Sequence, residues 1–285
     1  MRKGVLILSA VMCGVIIQPG VSLAESVFTV STATKDAFLA NGSLFNAGPP
    51  PTGNPVCSTN CANLNFGGAG TLAIAPASSD KGQFDSVVQW DTAGAVTQFN
   101  TAFGAGNWQI TNVSLNLASN FGDQGEQPNN GIFNTINNGQ FNVQWISNDT
   151  WIEGTGSGMG TNPGSPPSVT FGNKATTLLT GTSANLGTFA YAPPGDGVYR
   201  SYSLSLDPNL LSDITGGNLA SLFFTAADDQ VGYLFNSKTF AGNSPQFIIT
   251  ADVTPVPVPA AVWLFGSGLA AMVGFARRNV NRMAA

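Results

Sequence analysis

Apolar and polar residues alternate along most of the chain between residues 25 and 254. In residues 141–145, Phe, Val and Trp alternate with Asn and Gln, and residues 113–117 and 202–206 show the same pattern. A period of two residues predicts strands with one face in a core. Seven further strands are predicted at 27–32, 71–75, 84–90, 187–191, 221–225, 231–235 and 246–253. About ten short strands predict an all-β fold, a jelly-roll-like β-sandwich.

The alternation changes phase within one of these strands. Trp108 and Ile110 occupy even positions, whereas Val113 and the apolar residues after it occupy odd positions. One strand keeps both sets on the same face only if one extra residue is inserted. We therefore expect a β-bulge near Thr111.

Helical signals are few in this body. Asp207 is a suitable N-cap before Pro208, which predicts a short helix to about Ile214, and residues 95–102 form a second candidate. Three polar connections exceed the usual loop length and are either flexible decorations or binding loops. They cover residues 41–70, 120–140 and 154–168. No second domain is predicted.

The first 24 residues differ from the body. Arg2 and Lys3 precede an apolar run at 5–17, and residues 22–24 read Ser-Leu-Ala. This order is typical of a secretory signal peptide, so the exported chain would begin near Glu25.

The last 31 residues differ from the body as well. Residues 260–276 contain no charge and would span about 25 Å as a helix. The basic residues that follow are Arg277, Arg278 and Arg282, and prolines precede the run at 255, 257 and 259. Flanking arginines predict a cytoplasmic tail, and the prolines favour an extended segment outside the membrane. An ordinary single-span anchor would fit this pattern too.

The sequence of this C-terminal segment closely resembles the PEP-CTERM sorting signal of Gram-negative bacteria, in its VPxP variant. The matching residues are Val256, Pro257, Val258, Pro259, Trp263, Arg277 and Arg278. The resemblance implies export, transient anchoring in the inner membrane, and removal of the tail by an exosortase. It also implies an association with exopolysaccharide and the biofilm matrix. Val258 stands where the family's name-giving Glu would be.

Charge and residue types exclude several functions. The body from 25 to 254 contains fifteen acidic and five basic residues, a net charge of −10, which argues against nucleic acid and anionic lipid as partners. The chain has no histidine, which excludes Ser-His-Asp and Cys-His catalysis and histidine-ligated metals. Cys57 and Cys61 are predicted to form a small disulfide loop in an oxidising compartment.

Five blocks of the body resemble a DNRLRE-type extracellular β-sandwich module. They cover residues 36–39, 65–68, 86–91, 110–117 and 151–154. The resemblance implies a jelly-roll fold, kinship with carbohydrate-binding modules, and structural calcium in some members. Gln89 stands where that family usually has an arginine, so a role that depends on the arginine is not carried over.

The residue types present suggest candidate sites for sugar and for calcium. Trp151 beside Glu153 is the best candidate for sugar stacking, since Trp90, Trp108 and Trp145 follow the core pattern. Calcium would need converging oxygens, for which Asp36, Asp228 and Asp229 are the candidates, although solvated turns explain the last two as well. Glu153 with Asp149 would be the carboxylate pair of a glycosidase, but fifteen acids supply many such pairs.

The sequence therefore predicts a signal peptide at 1–24, a β-sandwich ectodomain at 25–254 and a sorting signal at 255–285. The expected role is that of a non-enzymatic surface or matrix protein that binds exopolysaccharide, with exosortase as its processing partner. A secreted polysaccharide-active enzyme and an ordinary membrane-anchored structural protein are the alternatives.

Overall fold

The structure is a computed structural model. It describes residues 25–30, 32–41, 61–79, 82–120, 133–134, 139–156, 162–164, 166–190, 198–240, 242–254, 265–269 and 271–272. The predicted signal peptide, Cys57 and the sorting-signal residues from Val256 to Trp263 and at Arg277 and Arg278 lie outside these residues.

Eleven strands and three α-helices make up the described part of the body. The strands are β1 (Ser26–Val30), β2 (Lys35–Asn41), β3 (Thr71–Ile74), β4 (Gln83–Asp91), β5 (Trp108–Ala118), β6 (Gln140–Ile146), β7 (Ser183–Ala190), β8 (Tyr199–Ser203), β9 (Leu219–Ala226), β10 (Tyr233–Asn236) and β11 (Gln246–Val253). The helices are α1 (Ala93–Phe103), α2 (Lys174–Thr177) and α3 (Pro208–Gly216), with a 3-10 turn at Cys61–Asn63. The predicted all-β class is confirmed.

Two antiparallel sheets pack face to face. One has the order β1-β11-β5-β8, the other β2-β4-β9-β6-β7, and a two-stranded ribbon joins β10 to β3. Their inner faces share one apolar core, in which the rings of Trp90 and Phe247 stack with centroids 5.2 Å apart. Phe141 meets Tyr202 edge to face across the same core at 5.2 Å. These contacts between the sheets make the body a β-sandwich.

The predicted bulge is present in β5. Asn112 pairs with Thr250 and Ile110 pairs with Ala251, which leaves Thr111 as the extra residue. Its hydroxyl donates to the carbonyl of Thr250 and to the Glu25 carboxylate. The change of phase in the sequence thus arises from one inserted residue.

Both predicted helices are present, and each is slightly longer than expected. The Asp207 side chain accepts the N–H of Asn209, and Gly217 ends α3 with a φ of 65°. Ala95 and Phe99 form the buried side of α1. Asp207 and Gly217 thus give α3 an ordinary N-cap and a left-handed C-cap.

A third layer covers the outer face of the five-stranded sheet. It consists of described parts of the connection between β6 and β7, residues 147–182. Trp151, Val169 and Leu178 pack there against the outward side chains of Leu39 and Phe223. Such burial contributes about 1.5–3 kcal/mol for each large apolar side chain. This connection, part of which was expected to be a decoration or a binding loop, is a structural cover in its described parts.

The two ends of the body lie side by side. Ser26 at the start of β1 pairs with Ala251 near the end of β11, and the N–H of Thr254 donates to the carbonyl of Asn107 at 2.8 Å. Beyond the body, residues 265–269 and 271–272 are helical. Among the residues that the structure describes, no helix has both the length and the apolar character needed to cross a membrane.

Candidate functional site at the edge of strand β2

Strand β2 forms one edge of the five-stranded sheet, and three distant segments meet it there. These segments are Asn65–Gly68, Trp151–Gly154 and the turn after β10 that contains Lys238. Phe38 of β2 forms an isolated antiparallel bridge with Phe66. Four of the five sequence blocks described above lie at or beside this edge. Block 36–39 is in β2, block 86–91 is in the neighbouring strand β4, and blocks 65–68 and 151–154 are two of the three segments.

Glu153 makes the central contacts of this edge. Its Oε1 accepts the N–H of Asp36 at 2.8 Å, so it occupies a position that a neighbouring strand would otherwise fill. Its Oε2 lies 2.8 Å from the Nζ of Lys238, which also donates to the Thr34 carbonyl. One carboxylate thus joins the third layer, the edge strand and the turn after β10.

Asn65 and two glycines fix the backbone around Glu153. The Asn65 amide donates to the carbonyls of Glu153 at 2.5 Å and Val169 at 2.9 Å, and its oxygen accepts the N–H of Gly156. Gly154 has a φ of 78°, and a Cβ there would overlap the Asn65 side chain. A Cβ at Gly67 would overlap the Glu153 carbonyl. Glycine is therefore required at both positions by close approach.

Asp36 is the most perturbed acid of this edge. It is 1% exposed, and its Oδ2 accepts the backbone N–H of Lys238 at 2.5 Å. Its Oδ1 is buried and has no hydrogen-bond partner among the described residues. Burial raises the pKa of Asp36 to about 7, while the hydrogen bond from Lys238 acts in the opposite direction.

A second polar network lies under the third layer. Gln89 donates to the carbonyl of Asp149 at 2.9 Å and to the hydroxyl of Ser221 at 2.9 Å. Ser221 in turn donates to the Asp149 carboxylate at 2.6 Å. Burial raises the pKa of Asp149, although the hydrogen bonds that its carboxylate accepts from Ser221 and, at 3.3 Å, from Gln89 favour the ionised form. Gln89 is thus a hydrogen-bonding residue of the interior.

Trp151 is not a sugar-stacking platform, and that prediction is wrong. The side chain is 2% exposed, packs in the third layer and donates its Nε1–H to Ser221 at 3.2 Å. The Lys35 ammonium lies 5.3 Å from its ring centroid and donates to the carbonyls of Asp149 and Trp151. The position two residues before Glu153 led to the expectation of a loop mouth, whereas the side chain packs on the outer face of the five-stranded sheet.

The other tryptophans follow the core prediction. Trp90 and Trp145 are buried, and Trp108 is half-buried against α1, where its Nε1–H donates to Asn100. Trp145 donates to the Asp213 carboxylate at 2.6 Å.

The three calcium candidates do not form a common cluster in the described part of the chain. Asp228 accepts the N–H groups of Gln140, Gln230 and Val231, and Asp229 accepts the Ser78 hydroxyl. Asp36 instead faces Lys238. Among described residues, no three His, Cys, Asp or Glu side chains converge in a metal-binding arrangement. The two aspartates of the turn after β9 accept hydrogen bonds from the fold, and their role in binding calcium stays a prediction.

Of the two cysteines predicted to form a disulfide, the structure describes Cys61. Cys61 is fully buried, lies at the start of the 3-10 turn and is disulfide-bonded. Its pairing with Cys57 stays a prediction, because Cys57 lies outside the described residues.

Sequence reasoning missed two lysine contacts. Lys174 of α2 lies 2.5 Å from the buried Asp85 of β4 and 3.5 Å from the centroid of the Phe171 ring. Lys238 pairs with Glu153 from a position 85 residues along the chain. With only five bases in the body, each lysine was a candidate partner for a buried acid, and this scarcity was the available signal.

The fold and this edge define the class of the protein: an all-β sandwich with a third layer over one sheet. No protein-family model matches the chain, and no curated protein matches it. The resemblances of the tail and of the five blocks therefore remain predictions.

Proposed function

We propose that the protein is exported, held briefly in the inner membrane by its C-terminal segment, and released to the cell surface or matrix by an exosortase. The observation that carries this proposal is the order of the last 30 residues: a Val-Pro-Val-Pro motif, an uncharged run and paired arginines. The signal-peptide pattern at 1–24 supports the same route.

The body would then be a non-enzymatic matrix component of jelly-roll type. The neighbour orders β1-β11-β5-β8 and β4-β9-β6-β7 support a jelly-roll relationship, with β2 as an added edge strand. The nominated carboxylates Glu153 and Asp149 both bond to parts of the fold, which favours a structural role for them over glycoside hydrolysis. Exopolysaccharide is the proposed binding partner, through a surface other than Trp151.

The test is the intact mass of the protein recovered from the surface of a host that carries the exosortase and from a strain that lacks it. Loss of residues 1–24 in both strains and of the tail only with the enzyme would support the proposal. A tail retained in both strains would contradict it and favour an ordinary anchor. Release of reducing ends from matrix glycan, abolished by Glu153→Gln in a folded protein, would instead favour the enzyme alternative.

A further inference from the structure

The folded body ends very close to the proposed sorting motif. Thr254 is bonded through its N–H to Asn107, and the motif begins two residues later at Val256. Two residues reach at most about 7 Å, and the six residues from Thr254 to Ala260 at most about 20 Å. An enzyme that binds residues 256–259 must therefore approach the folded body to within contact distance.

The part of the body that faces this junction is small and defined. We name it the terminal pole, residues 25–26, 104–109 and 252–254. β1 begins here, β11 ends here, and β5 begins with Trp108 paired to Val253. The loop between α1 and β5 belongs to the pole, and its residues Ala105, Gly106 and Asn107 are all exposed.

The side chains of the pole are small at its loop and carry acidic charge only. Gly106 has a φ of 74°, and no atom lies within 4 Å of the position that a Cβ would take. The ionisable residues of the pole are Glu25 and Asp252, with no lysine or arginine in its range. Removal of the signal peptide adds the positive α-amino group of Glu25, which leaves the pole a net charge of about −1 and no attraction to anionic lipid headgroups.

We propose that the terminal pole docks against the extracytoplasmic surface of the processing enzyme while the tail is removed. This inference rests on the proposed function and adds the surface that the enzyme meets. The short tether enforces the contact, and the Gly-Ala-Gly loop at residues 104–106 presents no bulky side chain to the enzyme.

The experiment combines a bulky substitution with a longer tether. Ala105→Trp enlarges the pole, and a flexible insertion of twelve Gly and Ser residues after Thr254 moves the pole away from the motif. Ala175→Trp is the matched control, since Ala175 is also exposed but lies in α2 on the third layer. Thermal melts first establish that each variant folds, and the rate of tail removal is then followed by intact mass in the exosortase-containing host.

We expect Ala105→Trp to slow tail removal about tenfold, the effect of 1.4 kcal/mol lost at the docked surface. The insertion should restore the wild-type rate, and Ala175→Trp should leave it unchanged. Normal processing of Ala105→Trp without the insertion would overturn the docking surface, as would a defect that the insertion does not relieve. A wild-type chain that keeps its tail would overturn the proposed function itself, and binding of the tail-free body to anionic vesicles would assign the pole to the bilayer.

Discussion

Glu153 and Lys238 form an ion pair, with 2.8 Å between Oε2 and Nζ, that ties the third layer to the turn after β10. Both side chains are mostly buried, and the other oxygen of Glu153 occupies the open edge of β2 at Asp36. The pair therefore closes the edge of β2 at Asp36, beside the bridge between Phe38 and Phe66.

Removing the charge of Glu153 tests whether its ion pair with Lys238 stabilises this sheet edge. Glu153→Gln keeps an acceptor for the Asp36 N–H but leaves the Lys238 ammonium without its counter-charge. We expect the free energy of unfolding to fall by about 1.5–3 kcal/mol, the range for hydrogen bonds to charged groups. Urea denaturation measures this change. Glu25→Gln, at the exposed start of the chain body, is the control, and an equal effect of the two would contradict the role assigned to Glu153.

The ionisation of Asp36 should make stability depend on pH. Because burial raises its pKa to about 7, the folded protein holds this proton more tightly than the unfolded chain. The free energy of unfolding should therefore fall between about pH 4 and pH 7, by at most about 4 kcal/mol at about 1.4 kcal/mol per pKa unit. Asp36→Asn should remove this part of the slope.

Denaturant titrations of both proteins at several pH values measure the difference. Burial also raises the pKa values of Asp85, Asp149 and Asp213, so the wild-type curve alone contains their contributions as well. The difference between wild type and Asp36→Asn isolates one group, and parallel curves would refute its raised pKa.

Trp151 should matter for stability. Trp151→Ala removes a large buried side chain and should cost about 3–5 kcal/mol of unfolding free energy. Ile152→Ala is a control at the next position, where the side chain is 38% exposed, and should change stability by less than about 0.5 kcal/mol. Equal, small effects at both positions would show that the third layer does not rest on Trp151.

Substitution of two glycines with nearly the same φ distinguishes the cost of a steric overlap from the cost of the left-handed backbone conformation. Gly154 and Gly106 have φ values of 78° and 74°, but only a Cβ at Gly154 would overlap another residue. Gly106→Ala should cost about 1 kcal/mol for the left-handed conformation. Gly154→Ala should cost about 1–3 kcal/mol more for the overlap with Asn65. Thermal melts compare the two, and a loss at Gly154 no larger than that at Gly106 would argue against the tight packing.

The disulfide prediction is tested by alkylation of the non-reduced exported protein. Neither Cys57 nor Cys61 should be labelled, while reduction should expose both. Mass spectrometry of the labelled peptides distinguishes the two states. A free thiol at Cys61 in the folded protein would contradict its disulfide-bonded state.

The sequence predicts most of the strands, including β4, which is buried along nearly its whole length, and misses β2. In β6 polar residues separate the apolar ones, so the period of two is visible. β2 reads Lys-Asp-Ala-Phe-Leu-Ala-Asn, and its five central residues are all buried, because the third layer covers the face that would otherwise be polar. Strands buried on both faces lose the alternation that identifies them.

The candidate site was only partly predictable for a different reason. The blocks at Asp36, Asn65 and Glu153 stood out in the sequence, but their common contact depends on the path of the chain. Asp36 accepts a hydrogen bond from Lys238, 202 residues further along, and no local pattern indicates such a pairing. Trp151 was misassigned for the same reason, since its burial is set by a sheet made of distant strands.

The pairing of β1 with β11 also sets the order in which the chain can fold. Ser26 must wait for Ala251 before the first sheet can close, and at about 5–20 residues per second the ribosome needs between about ten and fifty seconds to make the intervening chain. Until then β1 lacks its only partner strand in the described body. The four-stranded sheet therefore stays incomplete until β11 has been synthesised, whereas all strands of the five-stranded sheet are available once β9 has been made.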